Sequence, residues 1–339
     1  MVLLMQKEFV IKNLPTDFCH ASTILRLAED RLMCCWFGGQ KEGTADVAIW
    51  GSHKDAKGWS QPQKLADGVE ANWNPVLFSY KDVITLFFKE GQEISNWKTY
   101  CRKSVDLGYS WSSPAELVAD DDSGGRGPVR NKPVLLASGR IIAGGSTERG
   151  LWTSFADYSD DGGKTWLKSL PIGITGLLYK EGEKTAESNI AVSQQSFYGR
   201  GVIQPTIWES APGQVHMLMR SSEGYIYRSD SADNGNTWKE AYSTQLPNNN
   251  SGIDLVQAPF NQCLYLVCNP IHSNWGMRSP LSLFKSADNG KSWQKMLDLE
   301  TDAGEFSYPA VIADKDGLDI TYTWQRKNIV HCRFSKDEL

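Results

Sequence analysis

Four short segments of this 339-residue chain contain an aspartate within the same sequence motif, Ser-x-Asp-x-Gly-x-x-Trp. They are Ser104–Trp111, Ser159–Trp166, Ser231–Trp238 and Ser286–Trp293. A carboxylate in a loop that contains glycine can ligate calcium, or it can accept backbone N–H bonds within a tight turn. Calcium needs several oxygen ligands from one loop, and each copy offers only one or two. The segments therefore predict structural turns with no metal site, and reactive chemistry must be carried by other residues.

Other polar segments carry side chains that could bind a charged or hydroxyl-rich ligand. The segment Arg126–Val134 offers Arg130, Asn131 and Lys132 just before a predicted strand, and we predict that they bind substrate. The stretch Gly-Gly-Ser-Thr-Glu-Arg-Gly at 144–150 lacks the lysine and the strand–helix setting of a phosphate-binding loop. We find neither a His-Glu-x-x-His motif nor a Ser, His and Asp in the order of a hydrolase triad.

Composition limits the possible partners. A formal net charge of −5 and 40% hydrophobic residues describe an ordinary soluble globular protein. A mildly acidic chain gives no electrostatic reason to expect nucleic acid or an anionic membrane surface as a partner. Seven cysteines without a Cys-x-x-Cys pair argue against both a disulfide scaffold and a zinc site. We expect free thiols in a reducing compartment, and no cofactor.

The two ends of the sequence bear on location. The apolar run at the N-terminus meets Lys7 and Glu8 after five residues, which is too short for a secretory signal or a membrane span. The last four residues, Lys336–Leu339, spell an endoplasmic-reticulum retention address. Without an entry signal that address cannot be used, so the sequence predicts a cytoplasmic protein.

The segments between the repeats have the composition of strands. They are rich in Val, Ile, Tyr and Phe, and several alternate apolar with polar residues, whereas no long stretch shows helical periodicity. The serines of the repeats stand at 104, 159, 231 and 286, which are 55, 72 and 55 residues apart, and Ser52–Trp59 looks like a worn fifth copy. This spacing predicts one all-β domain over 1–339, a six-bladed β-propeller with four-stranded antiparallel blades. We expect the repeat tryptophans to pack between blades, and Lys7–Leu14 to pair with Leu318–Gln325 to close the ring.

The repeats are identified as Asp-box, or BNR, repeats, and the chain resembles the sialidase superfamily of six-bladed propellers. The resemblance runs from Cys19–Leu27 to Glu305–Ile312. In that superfamily three arginines clamp the substrate carboxylate, an aspartate on a loop is the acid/base, and a tyrosine activated by a glutamate is the nucleophile.

Four residues of this chain match that pattern, and the resemblance implies their roles. Arg220 and Arg278 stand before the third and fourth repeats, as the second and third clamp arginines do. Tyr308, within the segment Gly304–Ile312, matches the nucleophile. Asp46 matches the acid/base on its loop.

Two positions depart from the pattern. His20 stands where the first clamp arginine is normally found, and Gln204 stands nearest to the place of the activating glutamate. A neutral amide cannot remove a proton from a phenol whose pKa is about 10. Gln204 is therefore expected to hydrogen-bond Tyr308 without deprotonating it, and Glu305 is the alternative carboxylate for that task.

These residues suggest three functions. The first is hydrolysis of a terminal acidic sugar, with Tyr308 as nucleophile and Asp46 as acid/base. The second is β-elimination of a uronic acid, in which His20 removes a proton and arginines neutralise the carboxylate. The third is an acidic-glycan-binding propeller without activity. In each case the partner is an acidic sugar or oligosaccharide, and the site residues should converge at one mouth of the central channel.

Overall fold

The computed structural model describes residues 6–187 and 194–339. Its sheets divide into six antiparallel blades, which confirms the predicted all-β propeller. The N-terminal strand β1 is Gln6–Phe9. Blade I consists of β2 (Phe18–Ala28), β3 (Arg31–Gly39), β4 (Ala48–Asp55), β5 (Gly58–Trp59) and β6 (Gln63–Ala66). Blade II consists of β7 (Asn72–Tyr80), β8 (Val83–Glu90), β9 (Lys98–Ser104) and β10 (Ala115–Glu116).

The remaining blades repeat this order, with the innermost strand first. Blade III consists of β11 (Val134–Leu135), β12 (Ile141–Arg149), β13 (Leu151–Ser159) and β14 (Leu167–Lys168). Blade IV consists of β15 (Arg200–Ala211), β16 (Gln214–Ser221), β17 (Tyr225–Ser231) and β18 (Tyr242–Pro247). Blade V consists of β19 (Asp254–Gln257), β20 (Leu264–Cys268), β21 (Leu281–Ser286) and β22 (Gln294–Glu300). Blade VI consists of β23 (Phe306–Asp314), β24 (Gly317–Trp324), β25 (Asn328–Ser335) and β1.

Helical structure in the described ranges is limited to three short 3-10 turns, Ile94–Asn96, Gln194–Phe197 and Lys336–Glu338. None of these helices is long and apolar enough to cross a membrane.

The ring is closed by β1, which pairs with β25 from Gln6 opposite Arg333 to Phe9 opposite Val330. The sequence prediction of Leu318–Gln325 as the partner was wrong by one strand. That segment is mostly β24, whose two edges are already paired with β23 and β25, so only β25 has an edge for β1.

In the described ranges, six clusters of the hydrophobic core fill the spaces between neighbouring blades, and a seventh combines Trp152, Phe197, Ile203 and Trp275. Each repeat tryptophan packs in the space between its own blade and the preceding one, which confirms the predicted role of these rings. They are Trp111, Trp166, Trp238 and Trp293.

The four repeats share one hydrogen-bond pattern, and each joins the third and fourth strands of its blade. In the last copy the Ser286 hydroxyl donates to Asp288 Oδ1 at 2.8 Å and accepts from Gly290 N at 2.9 Å. Asp288 also accepts from Ser292 N and the Ser292 hydroxyl, and these donors lower the pKa of Asp288. The segment Ser52–Trp59, which resembles a fifth copy of the repeat, forms a tight β4–β5 hairpin and lacks the hydrogen-bond pattern of the four repeats.

Near the channel axis, the buried carboxylate of Asp254 connects blade V to three other blades. Its oxygens accept from Lys132 Nζ at 2.8 Å, Thr206 Oγ1 at 2.8 Å and Val311 N at 2.9 Å. Asp254 is 1% exposed, so these donors replace water as its hydrogen-bond partners. This carboxylate therefore holds the inner strands together.

We expect Asp254→Asn to lower the free energy of unfolding by about 3 kcal/mol, since removing one partner of a buried ion pair leaves the other charge uncompensated. Urea unfolding followed by tryptophan fluorescence measures this. Asp302→Asn, at an exposed position, is the matched control. An Asp254→Asn protein as stable as this control would contradict the assignment.

Candidate functional site

A cavity of about 510 Å³ opens where the inner strands begin, and all six blades contribute to its lining. The aromatic lining residues are Phe18, Phe37, Trp73, Trp97, Trp275 and Tyr308. The charged ones are Asp17, Lys41, Glu42, Glu148, Arg220, Arg278, Arg326 and Lys327. An apolar surface with convergent charged groups is typical of a small-ligand site.

Four inner strands carry the same local distortion beside the cavity. Ala21, Asn74, Gln204 and Tyr308 have φ angles of 53°, 43°, 54° and 52°, and each coincides with a shift of strand register. Such a bulge bends a strand and redirects one side chain. Proline follows three of these residues, as Pro75, Pro205 and Pro309. Proline has no backbone N–H to donate to a neighbouring strand, and at a bulge the strands make no such hydrogen bond.

Tyr308 lies among positive charges. Its hydroxyl accepts a hydrogen bond of 2.9 Å from Arg220 Nη1. The guanidinium carbons of Arg278 and Arg130 lie 5.4 and 5.3 Å from the centre of its ring. The His20 ring packs beside it, with 4.4 Å between centres. The structure thus brings together Tyr308, both predicted clamp arginines and His20, from blades I, IV, V and VI.

Arg220 is a buried cation held only by neutral groups. It is 1% exposed, and its Nε donates to Asn250 Oδ1 at 2.9 Å. Its Nη1 donates to Gln204 Oε1 at 3.1 Å as well as to Tyr308. No carboxylate in the described part of the chain forms an ion pair with it. Because a buried charge without a counterion is costly, the geometry favours an anionic ligand beside Arg220.

The Gln204 amide does not hydrogen-bond Tyr308, contrary to the prediction. Its Oε1 accepts from Arg220 Nη1, and the same nitrogen donates to the Tyr308 hydroxyl. The carbonyl oxygen of the amide therefore orients the arginine, which in turn donates to the phenol.

A second group of charges combines Arg278 with a residue that the sequence did not suggest, Arg326. Glu305 Oε1 accepts from Arg278 Nη1 at 2.6 Å, and Glu305 Oε2 accepts from Arg326 Nε at 2.8 Å. Burial would raise the pKa of Glu305, but the two arginines outweigh it and the pKa lies below its usual range. Arg326 also pairs with Glu42 at 2.5 Å. Glu305 is thus placed to orient two arginines.

Glu148 was also not suggested by the sequence. It lines the cavity from β12, and burial raises its pKa to about 7, against an opposing effect of Arg220. On the same strand, Ser146 Oγ accepts from Gln204 N at 3.3 Å, which places this part of β12 beside the bulge of β15. A carboxyl with this pKa can exchange protons near neutral pH.

His20 is almost completely buried, and its Nδ1 has no partner among the described residues. Burial, together with the surrounding arginines, lowers its pKa well below the usual value. The imidazole is therefore neutral at physiological pH. It packs edge-to-face against Phe37 as well as beside Tyr308.

The other predicted site residues lie outside the lining. Asp46 is exposed, and hydrogen bonds from the Thr44 hydroxyl and Gln40 N lower its pKa. Asn131 donates to the carbonyl oxygens of residues 204 and 205. Lys132 is engaged by Asp254, while Arg130 is buried against the Tyr308 ring. Burial lowers the pKa of Arg130 to about 10, so it remains charged at neutral pH.

No group of three or more His, Cys, Asp or Glu within the described ranges is arranged to hold a metal ion.

Comparison with known proteins places this geometry in context. The family model described as a BNR repeat-like domain matches residues 30–320. No curated protein matches the chain significantly.

Solved structures share the fold at low sequence identity. A protein of unknown function from Dyadobacter fermentans has a TM-score of 0.74 and 14% identity, over 98% of this chain and 99% of that one. A Hadza microbial sialidase has a TM-score of 0.74 and 15% identity, over 96% of this chain and 67% of its own. The Trypanosoma rangeli sialidase has a TM-score of 0.73 and 13% identity, with 100% of this chain covering 60% of that enzyme. The latter enzyme has also been solved in complex with sialic acid.

Proposed function

Because the chain belongs to the BNR repeat-like domain family, we propose that it is a sialidase-type glycoside hydrolase acting on a terminal acidic sugar. The observation that carries the proposal is the buried guanidinium of Arg220, which has no carboxylate partner in the described residues and donates to the Tyr308 hydroxyl. An acidic sugar would supply the missing negative charge directly beside a candidate nucleophile. Arginine suits this task because its planar guanidinium pairs with a carboxylate through two parallel hydrogen bonds.

The clamp in this proposal has three arginines. Arg220 and Arg278 hold the sugar carboxylate, and Arg326 provides the third guanidinium in place of the arginine that His20 replaces. Arg326 reaches the cavity from the turn between β24 and β25, and Glu305 fixes it relative to Arg278. The neutral His20 then fills space beside Tyr308 without adding charge.

In the reaction we propose, the Tyr308 oxygen attacks the anomeric carbon. Glu148 receives the phenolic proton, since it lines the same cavity and its pKa of about 7 allows both protonation states. The leaving oxygen must be protonated in the same step. Asp46 remains our proposal for that acid. To serve, it must give up the hydrogen bonds from Thr44 and Gln40 that lower its pKa, so that it can carry a proton, and take a place in the cavity, whose lining includes Gln40, Lys41 and Glu42.

A panel of acidic glycosides with a chromogenic leaving group tests the proposal, read by both released sugar and near-ultraviolet absorbance. A hydrolase releases the sugar without creating an unsaturated product. Tight binding by calorimetry with no product after prolonged incubation would overturn the proposal in favour of a glycan-binding propeller.

One observation favours a second reaction. The His20 ring contacts Tyr308, and its Nδ1 is free of partners in the described residues, so it could accept a proton from a uronic acid bound to the arginines. A β-elimination would follow, with Tyr308 protonating the leaving oxygen. The lowered pKa of His20 makes it a weak base, which is why hydrolysis is our first proposal. An unsaturated product absorbing in the near ultraviolet would identify the lyase.

Glu148→Gln should remove the acidic limb of the pH–rate profile. As a base Glu148 must be ionised, and because its pKa is raised to about 7, kcat/KM of the unmodified protein should fall as the pH drops below that value. The variant should be about 100-fold slower at pH 8, with a flat profile from pH 5 to 8. Glu70→Gln, at an exposed position, serves as the control. An unchanged acidic limb in Glu148→Gln would assign the titration to another group.

A further inference from the structure

A group of polar side chains on blade IV lies at the opposite end of β15 from the cavity. The strand register places Trp208 of β15 opposite His216 of β16, and His216 opposite Asp230 of β17. Ser210 follows Trp208 by two residues, at a register shift next to the β15–β16 hairpin, and is exposed. Six residues of extended strand separate Ser210 from Gln204, a distance of about 20 Å.

Three of these side chains form a continuous chain of hydrogen bonds. The Ser210 hydroxyl lies 2.7 Å from His216 Nε2, and His216 Nδ1 lies 2.5 Å from Asp230 Oδ1. His216 is 7% exposed, and its ring packs on Trp208 with 4.9 Å between centres. Packing therefore holds the imidazole between a solvent-exposed hydroxyl and a carboxylate.

Asn289 and Asp230 favour a neutral His216 with its proton on Nδ1, whereas Arg228 Nη2, which also points an N–H at Nδ1, opposes it. Trp208 Nε1 can only donate, and it donates to Asn289 Oδ1 at 2.7 Å. The Asn289 amide nitrogen therefore faces His216 Nε2, at 3.2 Å, and Nε2 must accept. The proton is then on Nδ1, where Asp230 accepts it. In this tautomer the Nε2 lone pair faces both Asn289 Nδ2, at 3.2 Å, and the closer Ser210 hydroxyl, at 2.7 Å, so it can take the proton of Ser210.

Two further groups fix the carboxylate. Asp230 Oδ1 accepts from Arg228 Nε at 2.8 Å, and Oδ2 accepts from the Tyr242 hydroxyl at 2.8 Å. Arg228 Nη2 also lies 3.0 Å from His216 Nδ1, which is a contact between two donors in this tautomer. Arg228 itself is held by Asn289 O of the neighbouring blade. Asp230 therefore stays ionised and oriented to stabilise a protonated His216.

We propose that Ser210, His216 and Asp230 form a second reactive centre, in which Ser210 is a nucleophile toward small activated esters. These residues follow each other along the chain in the order Ser, His, Asp. They could not be recognised from the sequence, because Ser210 and His216 are six residues apart, His216 and Asp230 are fourteen apart, and no motif surrounds them. The arrangement has the roles of a hydrolase triad: a nucleophile, a base, and a carboxylate that orients the base.

The reaction balances without a further reagent. The Ser210 oxygen bonds to the acyl carbon as its proton moves to His216 Nε2. The bond from that carbon to the leaving oxygen then breaks, and the leaving alcohol departs with the proton from Nε2. Water repeats the sequence to release the acid. Asn289 Nδ2 provides an N–H donor beside the reacting atoms, and the exposed position of Ser210 lets small acyl groups reach it from solvent.

The test uses the full-length folded protein with an alkyl fluorophosphonate, which becomes covalently bound to activated serines with loss of fluoride. Peptide mass spectrometry locates the adduct, and p-nitrophenyl acetate measures the rate of acyl transfer. We expect one adduct, on Ser210. Labelling should vanish in Ser210→Ala and fall about 100-fold in His216→Gln, which lacks the general base. It should be unchanged in Ser113→Ala, a serine that is equally exposed but has no histidine partner.

His216 contributes to packing, so Asp230→Asn provides a second variant, for which we expect at least a tenfold slower reaction. Circular dichroism and thermal unfolding establish that each variant is folded. Labelling of Ser210 no faster than labelling of Ser113, in folded unmodified protein, would overturn the proposal. So would equal labelling rates in the unmodified protein and a folded His216→Gln or Asp230→Asn variant.

Discussion

Replacing Tyr308 with phenylalanine should reduce kcat for an acidic glycoside by at least about 1,000-fold, because the substitution removes the nucleophilic oxygen and leaves the aromatic ring. The ring continues to pack between His20 and the guanidinium groups of Arg130 and Arg278. The cavity should therefore keep its shape, and the dissociation constant of an unreactive sugar analogue should change less than about threefold. Steady-state kinetics with calorimetric binding separates the two effects.

Tyr109→Phe is the matched control, since Tyr109 is 62% exposed on a repeat turn and does not line the cavity. Its kinetics should equal those of the unmodified protein. A Tyr308→Phe enzyme that retains more than a tenth of its kcat would rule out Tyr308 as nucleophile. If binding is lost together with kcat, the hydroxyl serves chiefly to hold Arg220.

Replacing Arg220 with methionine should weaken binding of the acidic sugar by about 100-fold or more, since removing one member of a buried charge pair across an interface costs about 2–5 kcal/mol. The same substitution should leave the free energy of unfolding unchanged or raise it. Arg220 is 1% exposed and its partners in the described residues are neutral, so methionine removes a buried, uncompensated charge while keeping much of its volume.

This pair of results separates a binding role from a structural one. If Arg220 only supported the fold, its replacement would lower the free energy of unfolding. It would then also weaken the binding of a neutral sugar and of an acidic sugar to the same extent. Arg31→Met, at an exposed position, controls for loss of net charge. An acidic sugar that binds Arg220→Met as tightly as the unmodified protein would refute the clamp.

The fold was predictable because its signal is local and repeated. Each Ser-x-Asp-x-Gly-x-x-Trp segment closes a turn with its own side chains, so the turn depends little on distant sequence. The closing strand was harder to predict. β25 reads Asn-Ile-Val-His-Cys-Arg-Phe-Ser, which alternates polar with apolar residues as a strand does, but nothing in this pattern shows that its edge is the one left free for β1.

The site was predictable only where the local sequence resembles the family pattern. Arg220 and Arg278 were found because each precedes a repeat, and Tyr308 because its segment matches that of the nucleophile; the structure brings all three into one cavity. Arg326 and Glu148 were missed because nothing in their local sequence is distinctive. Arg326 enters the cavity from a tight turn, and the pKa of Glu148 depends on burial by other blades.

One sequence pattern, a residue followed by proline, marks three of the lining residues. Asn74, Gln204 and Tyr308 each precede a proline near the start of an inner strand, and each adopts a positive φ at a bulge that faces the cavity. These residue–proline pairs recur on every second blade, 130 and 104 residues apart, and the recurrence would have identified Asn74 as a lining residue. It would also have indicated that Gln204 and Tyr308 occupy equivalent positions in their blades.

The pairing of β1 with β25 has a consequence for how the protein is made. Gln6 and Arg333 are 327 residues apart, and ribosomes add about 5–20 residues per second, so β1 waits roughly 20–60 seconds for its partner. An unpaired strand edge is a place where other chains can add. Lys7 and Glu8 lie on that edge, and in the finished ring they pair with Glu300 and with Lys54 and His331. During synthesis the same two charges would disfavour pairing with the wrong strand. Neutral replacements at both positions should therefore increase aggregation of newly made chains more than they destabilise the completed ring.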